Sequence, residues 1–248
     1  MALSRSILSL FLVLCCFLSP SLAEDLQLTS EKMRYDSETG MFWAEGSVKL
    51  VRGSLTATSL KAEGNVNGKD FAMTGDVHVF GSWEGEKMDM RGDKLSGTFE
   101  EPRGYVFEGK VKGFWGPRQV DGDRLEWRGE RFSGTKIRRY SDSREGYVLE
   151  CDAIDGNTAN GEVSEFVATG NIHFVSASKD RAPTDLRGDK AVYSKAMGSL
   201  VVSGNVAAVQ EGRSLKAETL VYFPEKNRIE ASGKPQLIFK MEEGKQKK

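Results

Sequence analysis

The sequence predicts an all-β protein, an antiparallel meander of roughly fourteen short strands. Three observations carry this reading. A glycine-centred strand pattern recurs along the chain, a partner strand of constant form precedes most copies, and turn-forming residues stand between the two. The clearest copies lie in residues 186–239, where LRGDKAVYSKAMGSLVVSGNVAAV is answered by LKAETLVYFPEKNRIEASGKPQLIF. Alternate residues of the second strand are Leu200, Val202, Gly204, Val206 and Ala208, then Ile229, Ala231, Gly233, Pro235 and Leu237. The residues between them are mostly polar or small, so each strand has one apolar face and is half-buried. The glycine falls on the apolar face at the same place in both copies.

The same strand recurs as MFWAEGSVKL (41–50), FAMTGDVHVF (71–80), YVFEGKVKGF (105–114) and FVATGNIHFV (166–175). Their apolar faces carry Phe42, Ala44, Gly46, Val48 and Leu50, then Phe71, Met73, Gly75, Val77 and Val79. The next two carry Tyr105, Phe107, Gly109 and Val111, then Phe166, Ala168, Gly170, Ile172 and Phe174. A degenerate copy runs through Phe132, Gly134 and Ile137, where the alternation slips out of phase. The partner strands LTSEKMRY, LTATSLKA, MRGDKLSG, VDGDRLEW, LECDAIDG, LRGDKAVY and LKAETLVY share one form: apolar, any, small, acidic or polar, any, apolar. The two apolar ends are an odd number of residues apart, so plain alternation cannot bury both. A bulge or bend near the small residue would. Turn formers such as Asp36–Gly40, Glu100–Gly104 and Pro224–Asn227 link partner strand to glycine strand.

At the start of the chain, Arg5, an apolar run from Ile7 to Leu18, and the small residues Ser21 and Ala23 read as a secretion signal over residues 1–23, cleaved before Glu24. The apolar run is short for a permanent membrane helix. A lipoprotein signal at Cys15 or Cys16 fits poorly, because Leu14 precedes Cys15. The repeat domain then spans 24–240, followed by a charged tail over 241–248. Cys151 is the only cysteine after the signal, so no internal disulfide staples the domain. Lys and Arg number 35 against 36 Asp and Glu, well mixed, which excludes a nucleic-acid-binding stripe.

Catalytic constellations are missing from the sequence, and no cofactor is implied. His78 and His173 each follow an inward Val77 or Ile172 and point outward by strand parity. No third metal ligand stands at suitable spacing. There is no nucleophile elbow, phosphate loop or dinucleotide fingerprint. Carboxylates such as Glu84 and Glu86, or Asp121 and Asp123, fall in turns or on the polar face. Cys151 reads as a small buried hydrophobe. Trp43 falls opposite the apolar stripe, whereas Trp115 continues the parity of Val111. These observations argue against an enzyme.

A glycine inside a strand marks a bulge, a sharp bend, or the close approach of something else. Two consequences stay open for Gly46, Gly75, Gly109, Gly170, Gly204 and Gly233. Either the strand folds over there, or the glycines notch the interior and leave room for a ligand.

The runs GDKAVYSKAMGSLVVSGNVAAVQEGRSLKAETLVYF and LTSEKMRYDSETGMFWAEGSVKL resemble the OstA-like domain of periplasmic lipopolysaccharide-transport proteins, the LptA family. The resemblance covers most of the chain after residue 23 and is poorest at 115–150. It implies an antiparallel β-jelly roll, open along one side, with an apolar groove for lipid acyl chains. It also implies end-to-end homo-oligomers, LptC-like and LptD-like partners of similar fold, lipopolysaccharide or a related glycolipid as ligand, and a place in the periplasm of a diderm bacterium. On that basis the groove walls would be Val48, Leu50, Val77, Val79, Phe107, Val111, Ile172, Phe174, Val206 and Leu237. A retained N-terminal helix would make the chain LptC-like instead.

Two other classes compete. A polymerising β-scaffold that binds no lipid would need near-constant coil length, but the glycines are spaced unevenly. A parallel β-helix enzyme acting on polysaccharide would need clustered acidic or basic residues on adjacent coils, and the sequence shows none.

Overall fold

The computed structural model describes residues 26–83, 85–176 and 183–239. The expected secretion signal, its cleavage point before Glu24, and the tail 241–248 lie outside them, as does Glu84.

Among the described residues sixteen antiparallel strands form a single sheet, and from β3 to β15 sequence neighbours are ladder neighbours. At one edge β1 (Leu26–Thr29) and β2 (Lys32–Tyr35) both pair β3 (Met41–Arg52). The meander continues through β4 (Leu55–Asn65), β5 (Asp70–Trp83), β6 (Glu86–Thr98), β7 (Gly104–Trp115) and β8 (Arg118–Arg128). It runs on through β9 (Arg131–Asp142), β10 (Tyr147–Ala159), β11 (Glu162–Ser176), β12 (Thr184–Ser194) and β13 (Ser199–Gln210). At the other edge β15 (Arg228–Ser232) and β16 (Gln236–Ile238) share β14 (Arg213–Phe223). The paired short strands β1/β2 and β15/β16 are each one long strand interrupted at its middle, which is why sixteen strands stand where fourteen are expected. The fold is an open, antiparallel β-jelly roll built from two-strand units.

Each long strand bends at its centre, and the sequence pattern explains how. In β12, Leu186 and Gly188 face inward, Asp189 and Lys190 both face out, and Ala191 faces in again. Two successive outward residues absorb the odd spacing of the partner-strand motif, so the strand turns a corner there. The neighbouring glycine strand takes the outside of the same corner and needs one residue more. Ser203 pairs Lys190 and Ala207 pairs Arg187, four residues against three. Gly204 (φ 76°) and Asn205 (φ 49°) supply the extra length in left-handed backbone. The same register shift recurs at Glu45/Val48, Thr74/Val77, Glu108/Val111 and Thr169/Ile172. The corners stack and fold the sheet into two walls.

This placement corrects the sequence reading of the glycines. Gly46, Gly75, Gly109, Gly170, Gly204 and Gly233 do not notch the inner face. A Cβ on each would meet a partner-strand side chain on the outer side: Glu31, Leu60, Asp93, Asp152, Asp189 and Glu218 respectively. An extra residue on the outside of a bend cannot also point into it. The inward small residues belong instead to the partner strands, and three of them are Gly92, Gly122 and Gly188. Their inner space is filled by Phe107, Ile137 and Val202 from the adjacent strand. In the degenerate copy the anchor is also displaced. Gly134 is buried, and Lys136 (φ 50°) follows Thr135 at the corner as Gly75 follows Thr74.

The acidic residue of the motif secures the corner. Asp189 Oδ2 accepts from Asn205 Nδ2 at 2.7 Å, Asp152 Oδ2 from Asn171 Nδ2 at 2.7 Å, and Glu31 Oε1 from Ser47 Oγ at 2.7 Å. Lys136 Nζ reaches Asp152 Oδ1 at 3.0 Å and, with Asn171, holds its carboxyl below the usual aspartate range.

Gly204 and Gly212 allow a clean test. Both have φ near 75°. Gly212 has open space where a Cβ would go, but at Gly204 the Cβ would lie 2.5 Å from Asp189 Oδ2. Gly212→Ala is expected to cost about 1 kcal/mol, the left-handed backbone penalty alone. Gly204→Ala should cost roughly 2–3 kcal/mol, part of it recovered in an Asp189→Ala background. Urea unfolding of the four proteins measures this, and equal losses for both alanines would defeat the corner account.

Candidate ligand-binding interior

The two walls meet at two rims made by the turns, and among the described residues no ladder joins rim to rim. Side chains bridge them instead. Arg52, at the end of β3, sits over the Phe99 ring at 5.1 Å from its centroid. Trp83 meets Tyr105 edge to face at 5.7 Å. Farther along, Arg118 Nη2 donates to Gly161 O at 3.1 Å, and Gln210 Nε2 donates to Asn227 Oδ1 at 2.7 Å.

Beneath the rims lies an apolar cavity of about 480 Å³, running from β1 to β11. Leu50, Ala57, Phe71, Val79, Met90 and Leu95 line its first part, and Phe107, Leu125, Ile137, Leu149 and Phe166 its floor farther on. Trp83, Phe99, Tyr105, Trp115, Val120, Phe132, Ile154 and Val163 close around it from the rims. Phe71 stacks on Phe99 at 5.0 Å, so the aromatic wall is continuous with the mouth. Trp115 is held by its Nε1, which donates to Trp83 O at 3.3 Å.

The cavity stops before β12. There Leu186, Ala191, Val202 and Leu220 are completely buried, and Leu200 nearly so. Tyr140, Tyr147, Phe174 and Tyr222 form a ring-to-ring chain across this end, with centroids 5.7–6.3 Å apart. Burial pushes the pKa of both Tyr140 and Tyr147 upward, the mark of a dry surround. Thr184, fully buried, accepts from Gln210 Nε2 at 2.9 Å, which ties the last cross-rim contact into the packed core. The interior is a blind pocket.

Of the ten wall residues expected from sequence, Leu50, Val79 and Phe107 line the cavity. Val48, Val77 and Val111 are buried in the core beside the corners. Ile172, Phe174 and Val206 pack into the closed end rather than a groove. Leu237 is a correction: it lies on β16, 57% exposed, because β16 is an edge strand with no wall opposite it. Sequence reasoning missed most of the rim aromatics. Parity places Trp115 inward and could have found it. Trp83, Phe99 and Tyr140 stand at strand ends, where the alternating pattern gives out.

The histidines lie on the outer face, as parity implies, among cross-strand carboxylates. His78 Nε2 is 3.0 Å from Asp89 Oδ1, and His173 lies between Glu150 and Asp185 at 3.3 and 3.1 Å. Other charges pair there too, including Lys61 with Glu45 and Arg138 with Asp121 and Asp123. Exposed pairs like these contribute little each. Among the described residues no group of histidine, cysteine and carboxylate could hold a metal ion.

No protein-family model and no curated protein matches the chain. Among solved structures it is similar to LptH of Pseudomonas aeruginosa, described as the LptA-homologous periplasmic component of the conserved lipopolysaccharide transport device. Identity is 10%, the alignment covers 88% of this chain and 96% of that one, and the TM-score is 0.32. A likeness of that size carries nothing about the site.

Cys151 is buried beside the cavity floor, and that burial pushes its thiol pKa up to about 12. The thiol therefore stays neutral at pH 8, and neutral thiols are poor nucleophiles. Charged thiol reagents are expected to leave the folded protein unlabelled and to modify it once urea unfolds it. Labelling of the native protein at the rate of a free thiol would contradict this interior.

Proposed function

We propose that this chain is a periplasmic lipid-binding protein that carries or bridges lipopolysaccharide from inner to outer membrane, holding acyl chains in its interior. The observation behind this reading is the apolar, aromatic-walled cavity under rims that no ladder closes. A cavity of this size with few polar groups suits an apolar ligand rather than a polar substrate. The resemblance of its repeats to the OstA-like domain supplies lipopolysaccharide as the ligand, and the signal-like residues 1–23 supply the compartment. The chemistry is binding and release, with no bond made or broken.

Two substitutions separate binding from folding. Ile154→Trp puts bulk into the cavity, where Ile154 is only half-buried. It should leave the melting temperature within a few degrees and abolish capture of photo-crosslinkable lipopolysaccharide. Ala191→Leu enlarges a side chain in the closed end, so it should cost about 1–3 kcal/mol and leave capture by the folded fraction intact. Mass spectrometry of organic extracts of the purified protein provides the direct check. Absence of acyl chains there, with no capture by the wild type, would refute lipid binding.

End-to-end assembly belongs to the same reading. Among the described residues both sheet edges are unpaired and carry exposed apolar side chains, Leu26, Met33 and Tyr35 at one and Leu237, Ile238 and Phe239 at the other. Such edges template strand addition, either by a second copy or by LptC-like and LptD-like partners of similar fold. Ile238→Lys is expected to lower the sedimentation coefficient at high protein concentration. An unchanged value would rule out this edge as the contact.

A further inference from the structure

We propose that Arg118 latches the seam over the cavity, so that its bond to the opposite rim sets the rate at which an acyl chain enters or leaves. This rests on the acyl-binding reading of the interior and names the residue that governs exchange. Arg118 opens β8 on one rim, and Gly161 stands in the turn between β10 and β11 on the other. Arg118 Nη2 donates to Gly161 O at 3.1 Å, and both residues line the cavity. The bond therefore lies across the cavity's roof.

The guanidinium is held for that bond from its own rim. Its Nε lies 3.4 Å from Asp142 Oδ2, and its central carbon sits 4.9 Å from the centroid of the Trp115 ring. The side chains of Arg118 and Asp142 are only 15% and 6% exposed, a charged pair withdrawn from water beside an apolar cavity. Replacing such a pair by packed apolar side chains is often neutral or stabilising, so wall packing alone does not call for it. Asp142 Oδ1 accepts from the amides of Arg144 and Glu145 at 2.9 and 3.2 Å. Those bonds fix the carboxylate and leave Oδ2 to aim the guanidinium across the gap. Trp115 in turn donates to Trp83 O, and Trp83 meets Tyr105 of the far rim. Tyr105, Trp83, Trp115, Arg118 and Gly161 thus form one strap that leaves the far rim and returns to it. Its Arg118 end is a hydrogen bond to a main-chain carbonyl, which can break and re-form with every strand still paired.

The test reads opening with and without lipid. Leu125→Cys, on the cavity floor in a Cys151→Ala background, reports opening through its rate of labelling by N-ethylmaleimide. Arg118→Met combined with Asp142→Asn removes both charges together, and the asparagine oxygen can still accept from the turn amides. This pair of changes is expected to speed labelling about tenfold. It should speed uptake and release of the fluorescent fatty acid parinaric acid by the same factor and leave its Kd within about twofold, because a latch acts on both directions alike. Arg118→Lys keeps a charged donor but not the planar fork that reaches Asp142 and Gly161 at once. It should label about threefold faster than wild type, and it carries the test should the double variant not fold. Gln210→Met breaks the cross-rim contact at the closed end and controls for general loosening, so its rates should match the wild type. Unchanged rates on altering Arg118, equal acceleration by Gln210→Met, or a Kd that weakens by the full factor would overturn the latch. If parinaric acid does not bind the wild type, the acyl reading of the interior fails, and the labelling rates still decide the latch.

Discussion

The corner is the constraint on which this fold depends. A twelve-residue strand that ran straight would make a flat sheet with one greasy face and no interior. Here each strand turns back at its middle because two successive residues face outward, and the adjacent strand carries one residue more around the outside. That extra residue must adopt left-handed backbone, which glycine does without strain. The acidic side chain of the partner strand then lies across the glycine and accepts from the residue after it, as Asp189 does for Asn205. Backbone conformation and side-chain packing thus demand glycine for separate reasons at one position. In β9, where no anchor glycine precedes it, Lys136 still adopts the φ near 50° that Asn171 and Asn205 adopt after their glycines, and its long side chain turns outward to reach Asp152.

Stacked corners produce two walls, and what fills the space between them differs along the axis. Near β12–β14 the inward residues are mostly Leu, Val and Ala, with Tyr222 and Thr184, and they are buried throughout. From β3 to β11 they include large rings at the strand ends, such as Trp83, Tyr105, Trp115 and Phe132, which hold the walls apart as much as they bridge them. The same fold is therefore a closed core at one end and a pocket at the other.

The alternation and the odd spacing of the partner motif made the strands, their antiparallel order and the bend legible from sequence, because both are local and repeat. The face on which the glycine sits was not legible. Parity counted straight through Ala44, Gly46 and Val48 puts all three on one side, and the inserted residue that breaks the count shows only in the register with Lys61 and Ser59. The difference between packed and open interior was equally hidden. Phe174 and Val79 occupy equivalent places in their repeats, yet one is sealed in the closed end and the other lines the cavity. That outcome depends on which rings cross from the opposite rim, which is long-range information. The rim pairs Arg52–Phe99 and Trp83–Tyr105 join turns with no shared motif.

The open seam decides how such an interior can exchange its contents. In a closed barrel, access from the side requires breaking ladder hydrogen bonds along a whole strand. Here the rims over the cavity are held by a cation–π contact worth about 0.5–1 kcal/mol and an aromatic pair worth about 0.5–1.5. Arg118 adds a hydrogen bond from a charged group to Gly161 O, worth roughly 1.5–3 kcal/mol. Parting them sacrifices a few side-chain contacts and leaves every strand paired. At the closed end the same movement would expose Leu186, Leu200 and Leu220, each worth about 1.5–3 kcal/mol in burial. On these magnitudes the contacts across the rims are weaker over the cavity than the burial that seals the packed end.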